Sequence, residues 1–323
     1  MDPVFGQQSS DDTGRAGSRL GLRTRAVAVL AGALLALAAC QTAPQGGAVD
    51  SRTPTTVAAV ETAPLPEMPG QVAELGLVPG GQATPRAHAA IVVDAASGAV
   101  LYEEAADGLR YPASLTKMMT LYLLFDALDN GRLSLDTALR VSQDAARQPP
   151  AKIGVKAGTT ISARQAVQAL AVKSANDVAV VVAENLAVSE SAFAAQMTAK
   201  ARSLGMRRTR FVNASGLPDP RQVTTARDMA ILARALKSRH SARARAFTAR
   251  SFTYNGRTFE ATNNLLGRVA GVDGIKTGYI SLSGYNLAAS AGRGGKRVIA
   301  VVIGGESERA RDKEVTTLLE RYL

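Results

Sequence analysis

Ser114-Leu115-Thr116-Lys117 sets a hydroxyl and an amine three residues apart. On a helix, residues at that spacing share a face, so the Lys117 amine can reach the Ser114 hydroxyl. A serine hydroxyl is a weak nucleophile until a base stands beside it. A lysine amine serves as that base when burial and nearby positive charge keep part of it neutral. A helix amino end at Ser114 adds positive potential, which favours an anion there. Ser174-Ala175-Asn176 offers a hydroxyl suited to a proton relay and an amide suited to holding a carbonyl. The plainer alternative makes Asn176 a helix cap. Lys276-Thr277-Gly278 offers a cation and a hydroxyl that attract and hydrogen-bond a carboxylate. Gly278 lets a ligand or another backbone come close, and the plainer alternative makes Lys276 a solvated edge-strand charge. Each triplet alone is common. Their order, with Ser174 60 residues after Ser114 and Lys276 102 residues after Ser174, is far more specific.

These residues need a helix start, an interhelical loop and a strand to hold them. Ser114 to Leu128 is strongly apolar and reads as a helix. Ala163 to Lys173, Asn176 to Leu186 and Thr225 to Leu236 read as further helices, the last capped by Thr224 or Thr225. Ala89 to Asp94 and Ala99 to Glu103 form a hairpin signal around Ser97-Gly98. Gly274 to Ile280, Gly284 to Ala291 and Arg297 to Gly304 read as strands, with a turn at Gly292 to Gly295. Ser307 to Leu323 closes the chain as a helix, burying Leu318, Leu319 and Tyr322. Strands at both ends and helices between them imply one sheet of about five strands assembled from both termini, with helices packed on it.

Composition removes other chemistries. The 323 residues are 46% hydrophobic and 20% charged, ordinary for a globular chain. The only histidines, His88 and His240, stand far apart, and H-E-x-x-H is absent, so no metal site is expected. A Ser-His-Asp triad would have to use one of those two. Gly295-Lys296 is followed by Arg297 in a hairpin turn, which does not fit a phosphate-binding loop, and no cofactor is expected. The net charge of +11 draws the chain to anionic surfaces. Aromatics at 4% and the absence of Trp argue against nucleic acid. The basic run from Lys237 to Arg250 reads as solvated helix and loop.

Residues 1–39 read as a secretory leader. Arg15, Arg19, Arg23 and Arg25 precede an uncharged stretch, Ala26 to Ala39, that is too short to span a bilayer. The leader is long and contains Asp11 and Asp12, compatible with a start downstream of Met1. Leu37-Ala38-Ala39-Cys40 resembles the lipobox of bacterial lipoproteins, and Cys40 is the only cysteine. The resemblance implies cleavage before Cys40 and its acylation, hence a lipid-anchored protein on the periplasmic side of the cell envelope. Gln41 rather than Asp follows, similar to outer-membrane sorting, which leaves the choice of membrane open. Residues 40–86, rich in Pro, Thr, Ala, Gly and Gln, read as a flexible tether ahead of a domain at 87–323.

The three triplets in this order resemble the low-molecular-mass penicillin-binding proteins, the serine D-Ala-D-Ala carboxypeptidases. Supporting stretches are Tyr111 to Thr120, Asn213-Ala214-Ser215-Gly216-Leu217, Thr225 to Met229, and Gly284-Tyr285-Asn286-Leu287. The resemblance spans about Ala87 to Leu323. It implies a three-layer αβα sandwich with a mainly antiparallel five-stranded sheet and a helical subdomain. It implies that Ser114 attacks the D-Ala-D-Ala carbonyl of peptidoglycan stem peptides while Lys117 takes its proton. Ser174 and Lys276 would relay a proton to the leaving D-Ala, and Asn176 would hold a substrate carbonyl. The backbone N–H groups of Ser114 and Tyr279 would form the oxyanion hole. Thr277 and Arg311 would hold the terminal carboxylate. β-Lactams would acylate Ser114. Tyr279 and Ala175 depart from the His and Gly of many relatives, which bears on substrate preference. The chain also stops after the closing helix, as in shorter relatives that cut cross-links, so a D,D-endopeptidase is the alternative. A class A β-lactamase would need a Glu-x-x-Leu-Asn loop, which is missing. A non-catalytic wall-binding lipoprotein would not need every one of these side chains.

Overall fold

The computed structural model describes residues 82–323. The leader expected at 1–39, Cys40 and residues 41–81 of the expected tether lie outside the described residues. The chain starts with β1 (Ala89–Asp94), β2 (Val100–Glu104), α1 (Lys117–Asp129), β3 (Ala138–Arg140), α2 (Gln143–Arg147), β4 (Thr160–Ser162), α3 (Ala163–Gln168) and α4 (Asn176–Leu186). It continues with α5 (Glu190–Leu204), α6 (Ala226–Arg239), β5 (Ser251–Tyr254), β6 (Arg257–Glu260), β7 (Val272–Ile280), β8 (Gly284–Arg293), β9 (Lys296–Gly305) and α7 (Glu308–Tyr322).

Five strands form one antiparallel sheet in the order β2-β1-β9-β8-β7. Both faces are buried, so β9 reads Val298-Ile299-Ala300-Val301-Val302-Ile303 without polar interruption. Alternate side chains still go to opposite faces. Ile91, Val93, Ile299, Val301 and Ile303 join the core under the helical region. Ala90, Val92, Val298, Ala300 and Val302 join a second core with Val315, Leu318 and Leu319 of α7. α6 packs on β1 and β9 from one side, and α7 packs on β8 and β9 from the other. That is the expected αβα sandwich. Each fully buried aliphatic side chain contributes about 1.5–3 kcal/mol. Gly294 and Gly295, at φ +57° and +81°, make the two-residue turn between β8 and β9, where positive φ matches the strand twist.

The elements depart from expectation where local chemistry overrides periodicity. Helix α1 starts at Lys117, because Ala113–Thr116 is a tighter 3-10 turn. The stretch expected as one helix from Ala163 to Lys173 is α3 followed by a π-helical turn at Ala169–Lys173. Thr225 caps α6 by accepting from the Asp228 N–H, so Thr224 is not the cap. Tyr322 is only partly buried, beside Leu318 and Leu319. The folded part also begins before Ala87. Ala83 is buried with Leu109, Tyr111 and Val223, and the Arg86 N–H donates to Leu282 O at 2.8 Å.

Candidate active site

Ser114 lies in the 3-10 turn, and this matters for its base. A 3-10 turn has three residues per turn, so side chains at i and i+3 eclipse and Lys117 stands directly beside Ser114. The turn is pinned from the sheet. Asn286 of β8 donates its amide to Tyr111 O at 3.1 Å and Pro112 O at 3.2 Å, and accepts from the Gly304 N–H at 3.0 Å. The loop Asn213–Leu217 presses on the other side. At Gly216, φ is +85°, and a Cβ there would lie 1.9 Å from Ala113 O. Gly278 brings β7 against the same turn, where a Cβ would stand 3.1 Å from Ser114 N.

Lys117 is fully buried, and its Nζ has three oxygen neighbours. It lies 3.0 Å from Ser114 Oγ and 2.7 Å from Asn176 Oδ1, and it donates to Ser215 O. Burial, and then the charge of Lys276, hold its pKa well below the usual lysine range, against an opposing pull from Asp177. A neutral amine has two N–H groups and one lone pair. The Asn176 and Ser215 oxygens can only accept, so they take both N–H groups. The lone pair is left facing the Ser114 hydroxyl.

Asn176 opens α4, but its side chain caps nothing: the cap position is Ala175, with no side-chain bond. The helix-cap alternative therefore fails. Its Oδ1 orients Lys117, and its Nδ2 donates to Pro149 O at 3.0 Å, which leaves one amide N–H for a ligand in the cleft. The fully buried neighbour Asp177 accepts from the N–H groups of Ile153, Gly154, Val155 and Val178. It thereby fixes the loop that carries Pro149 and Ala151.

The π-helical turn ends at Ser174, whose φ of +62° is costly for a side-chain-bearing residue. Its Oγ is buried without a hydrogen-bond partner. Across the cleft, Lys276 is 1% exposed and donates to Thr277 O at 3.0 Å. Burial, and then the Arg311 charge, push its pKa down to about 7. Thr277 Oγ1 donates to Thr262 Oγ1 at 2.7 Å. Arg311, 2% exposed, donates from Nη1 to Asn286 O at 3.0 Å and from Nε to Asp312 Oδ1 at 2.8 Å. Its Nη2 lies 2.7 Å from Asp312 Oδ1 but lacks the alignment of a hydrogen bond. Tyr279 is 51% exposed and packs on Tyr285, with ring centroids 4.4 Å apart.

A cleft of about 340 Å³ gathers Ser114, Ser174, Asn176, Thr277, Gly278, Tyr279 and Arg311 on its walls, with Lys117 and Lys276 behind them. Every expected site residue within the described part is thus in or beside one cleft. The hollows beside His240 and Glu184 are larger, at about 440 and 620 Å³, yet neither brings a hydroxyl to a buried amine. The histidines are engaged elsewhere, His240 with Asp129 and His88 with Glu104 and Glu314. Glu184 lies inside α4, away from this cleft. Sequence reasoning missed three contributors. Ser215 acts through its carbonyl, Asp177 through buried backbone contacts, and Thr262 through its bond to Thr277. No residue-type signal marks a backbone carbonyl, although Asp177 directly after Asn176 was open to notice.

A sequence profile described as D-alanyl-D-alanine carboxypeptidase matches residues 79–307. The chain is 34% identical over 243 residues to the D-alanyl-D-alanine carboxypeptidase DacF of Bacillus subtilis, covering 72% of this chain and 61% of that protein. It spans about three fifths of the length of the curated relatives it matches first. The crystal structure of the D-alanyl-D-alanine carboxypeptidase DacD from Francisella tularensis superposes with a TM-score of 0.71 at 31% identity, covering 72% of this chain and 69% of that one. Penicillin-binding protein D2 of Listeria monocytogenes, in its cefotaxime-bound form, superposes at 0.66 with 34% identity, covering 74% of this chain and 98% of that one. The matched span contains the whole Ser114 cleft except Glu308 and Arg311, and the chain belongs to the D-alanyl-D-alanine carboxypeptidase family.

Proposed function

We propose that the chain is a serine D-Ala-D-Ala carboxypeptidase that trims peptidoglycan stem peptides through an acyl-enzyme at Ser114. The observation that carries this is the placing of the Lys117 amine 3.0 Å from Ser114 Oγ, with Asn176 Oδ1 and Ser215 O as its other two partners. Ser114 Oγ attacks the carbonyl carbon of the penultimate D-Ala and gives its proton to Lys117. The resulting oxyanion is held by the N–H groups of Ser114 and Tyr279, a contribution of about 3–4 kcal/mol. The C–N bond breaks as the leaving amine takes a proton through Ser174 and Lys276. Thr277 and Arg311 hold the terminal carboxylate. Water then hydrolyses the ester and restores Ser114. A β-lactam enters the same path, but its opened ring stays attached. The ligand states of the Listeria protein, with cefotaxime and with ampicillin, are in keeping with this.

Labelling with a fluorescent penicillin tests the mechanism. The full chain should label and Ser114→Ala should not; retained labelling in the variant would remove Ser114 as nucleophile. Product analysis on a pentapeptide and on a cross-linked dimer then separates carboxypeptidase from endopeptidase. We also propose that Cys40 carries a lipid that anchors the domain on the periplasmic side of the envelope, on the strength of Leu37-Ala38-Ala39-Cys40. Cys40→Ala should move the protein to the soluble fraction; an unchanged membrane fraction sinks the anchor.

A further inference from the structure

The wall that carries Ser174 also carries a positive spot that the proposed reaction does not use. Lys173 lines the cleft directly before Ser174. Its ammonium stands 6.0 Å from the centroid of the Phe259 ring, and the Arg257 guanidinium carbon stands 5.2 Å from the same centroid. Phe259 belongs to β6, in the β5–β6 hairpin, and stacks on Phe252 at 5.4 Å. Arg257 and Phe259, two residues apart on one strand, share a face of that hairpin, whereas Glu260 falls on the opposite face. Among the described residues neither Lys173 nor Arg257 forms a salt bridge, whereas Arg311, the other cation on the cleft wall, pairs with Asp312 and Glu308. Two cations therefore stand against one ring with no carboxylate in ion-pair reach of either, Glu308 of the same cleft being paired with Arg311. Like charges held together in this way repel each other, and an anionic ligand relieves that repulsion.

The position of this spot follows from Thr262. Its N–H donates to Val172 O at 3.2 Å, beside Lys173, and its hydroxyl accepts from Thr277 at 2.7 Å. Lys173 thus stands at the Thr277 end of the cleft, where the leaving group departs. We infer that Lys173, with Arg257 behind it, forms a subsite for a second carboxylate on the leaving side of the scissile bond. Substrates whose leaving residue carries an extra acidic group would be preferred over neutral ones of the same shape. This inference rests on the acyl-enzyme reading of Ser114.

The test uses the full chain and two pairs of synthetic peptides. One pair has D-Glu or D-Gln as the leaving residue after D-Ala; the other has an acidic or an amidated residue before D-Ala. In the parent protein, kcat/KM should favour D-Glu over D-Gln by roughly threefold to fivefold, the size of a partly exposed ion pair. Lys173→Gln should bring that ratio to about one, and Lys173→Glu should invert it, through KM rather than kcat. An unchanged D-Glu/D-Gln ratio in both variants overturns the subsite. A ratio that changes only in the second pair overturns its placement on the leaving side. If no peptide is cleaved and the penicillin probe fails to label Ser114, it is the acyl-enzyme reading that has failed.

Discussion

The two sides of the cleft are finished to different degrees. Around Ser114 and Lys117 most polar groups are satisfied within the protein, Thr116 Oγ1 being the exception: Thr120 donates to Ala214 O at 2.6 Å, Lys117 has three oxygens, and Asp177 has four N–H groups. Opposite, Ser174 Oγ and Arg311 Nη2 are buried without hydrogen-bond partners. A buried polar group left unpaired costs about 1–3 kcal/mol, so such groups are retained where something other than the fold uses them. On the proposed mechanism, the side that makes the nucleophile is nearly complete before substrate arrives. The side that meets the leaving group is completed by it. Substitutions on the first side should therefore damage structure and rate together, and those on the second should damage rate alone.

Lys117→Met removes the base and should reduce penicillin acylation by roughly a thousandfold. A variant that still acylates at near-parent rate would show that another group takes the Ser114 proton. Gly216→Ala attacks the same side through the backbone, since its new Cβ would meet Ala113 O at 1.9 Å. Acylation should fall about a hundredfold as Ser114 shifts, with a loss of about 2–4 kcal/mol in urea unfolding. Normal rate and stability together would mean the Asn213–Leu217 loop does not set the turn.

On the other side, Ser174→Ala should slow acylation about tenfold while leaving the urea midpoint unchanged or slightly higher, because no protein hydrogen bond is lost. A clear drop in the midpoint would show that its hydroxyl is satisfied in the free protein and would collapse the contrast. Lys276→Met should slow acylation by breaking the proton relay yet raise stability by about 1–2 kcal/mol at neutral pH, since a buried cation gives way to a thioether. The sign follows from proton binding. Lys276 has a pKa near 7 when folded against 10.5 when free, so between those values the unfolded chain holds the extra proton and stability rises with pH. In Lys276→Met that rise should be shallower; an identical slope would place the buried charge elsewhere. The smallest effect is a pH shift in Arg311→Gln, separate from the loss of its carboxylate contact. Arg311 lowers the Lys276 pKa, so its loss should move the alkaline limb of kcat/KM upward by roughly a few tenths of a pH unit. A downward move would mean that this limb belongs to another group.

The sheet and the site were legible in the sequence for different reasons. Strands such as β9, buried on both faces, announce themselves as unbroken apolar runs between glycines, and the three triplets pointed to residues that meet at one cleft. The 3-10 turn at Ser114 and the π-helical turn before Ser174 were not legible. A five-residue change of pitch leaves the apolar spacing almost intact, and packing rather than propensity decides it. The short hairpin β5–β6 was missed because its buried Phe252, Tyr254 and Phe259 sit among exposed charged and polar residues on strands of four residues. The Ser215 carbonyl was beyond reach, since every residue has one.

Because β1 lies between β2 and β9, the first hairpin of the domain finds its partner more than two hundred residues later. Ribosomes release Ser114, Lys117 and Ser174 well before β7 and its Lys276-Thr277-Gly278 emerge. A half-made chain therefore holds the nucleophile but neither the strand backbone that lies against Ser114 nor the cation opposite it. Such late, long-range pairing slows folding. Until the last strands have joined the sheet, the Ser114 turn lacks the β7 backbone that packs against it.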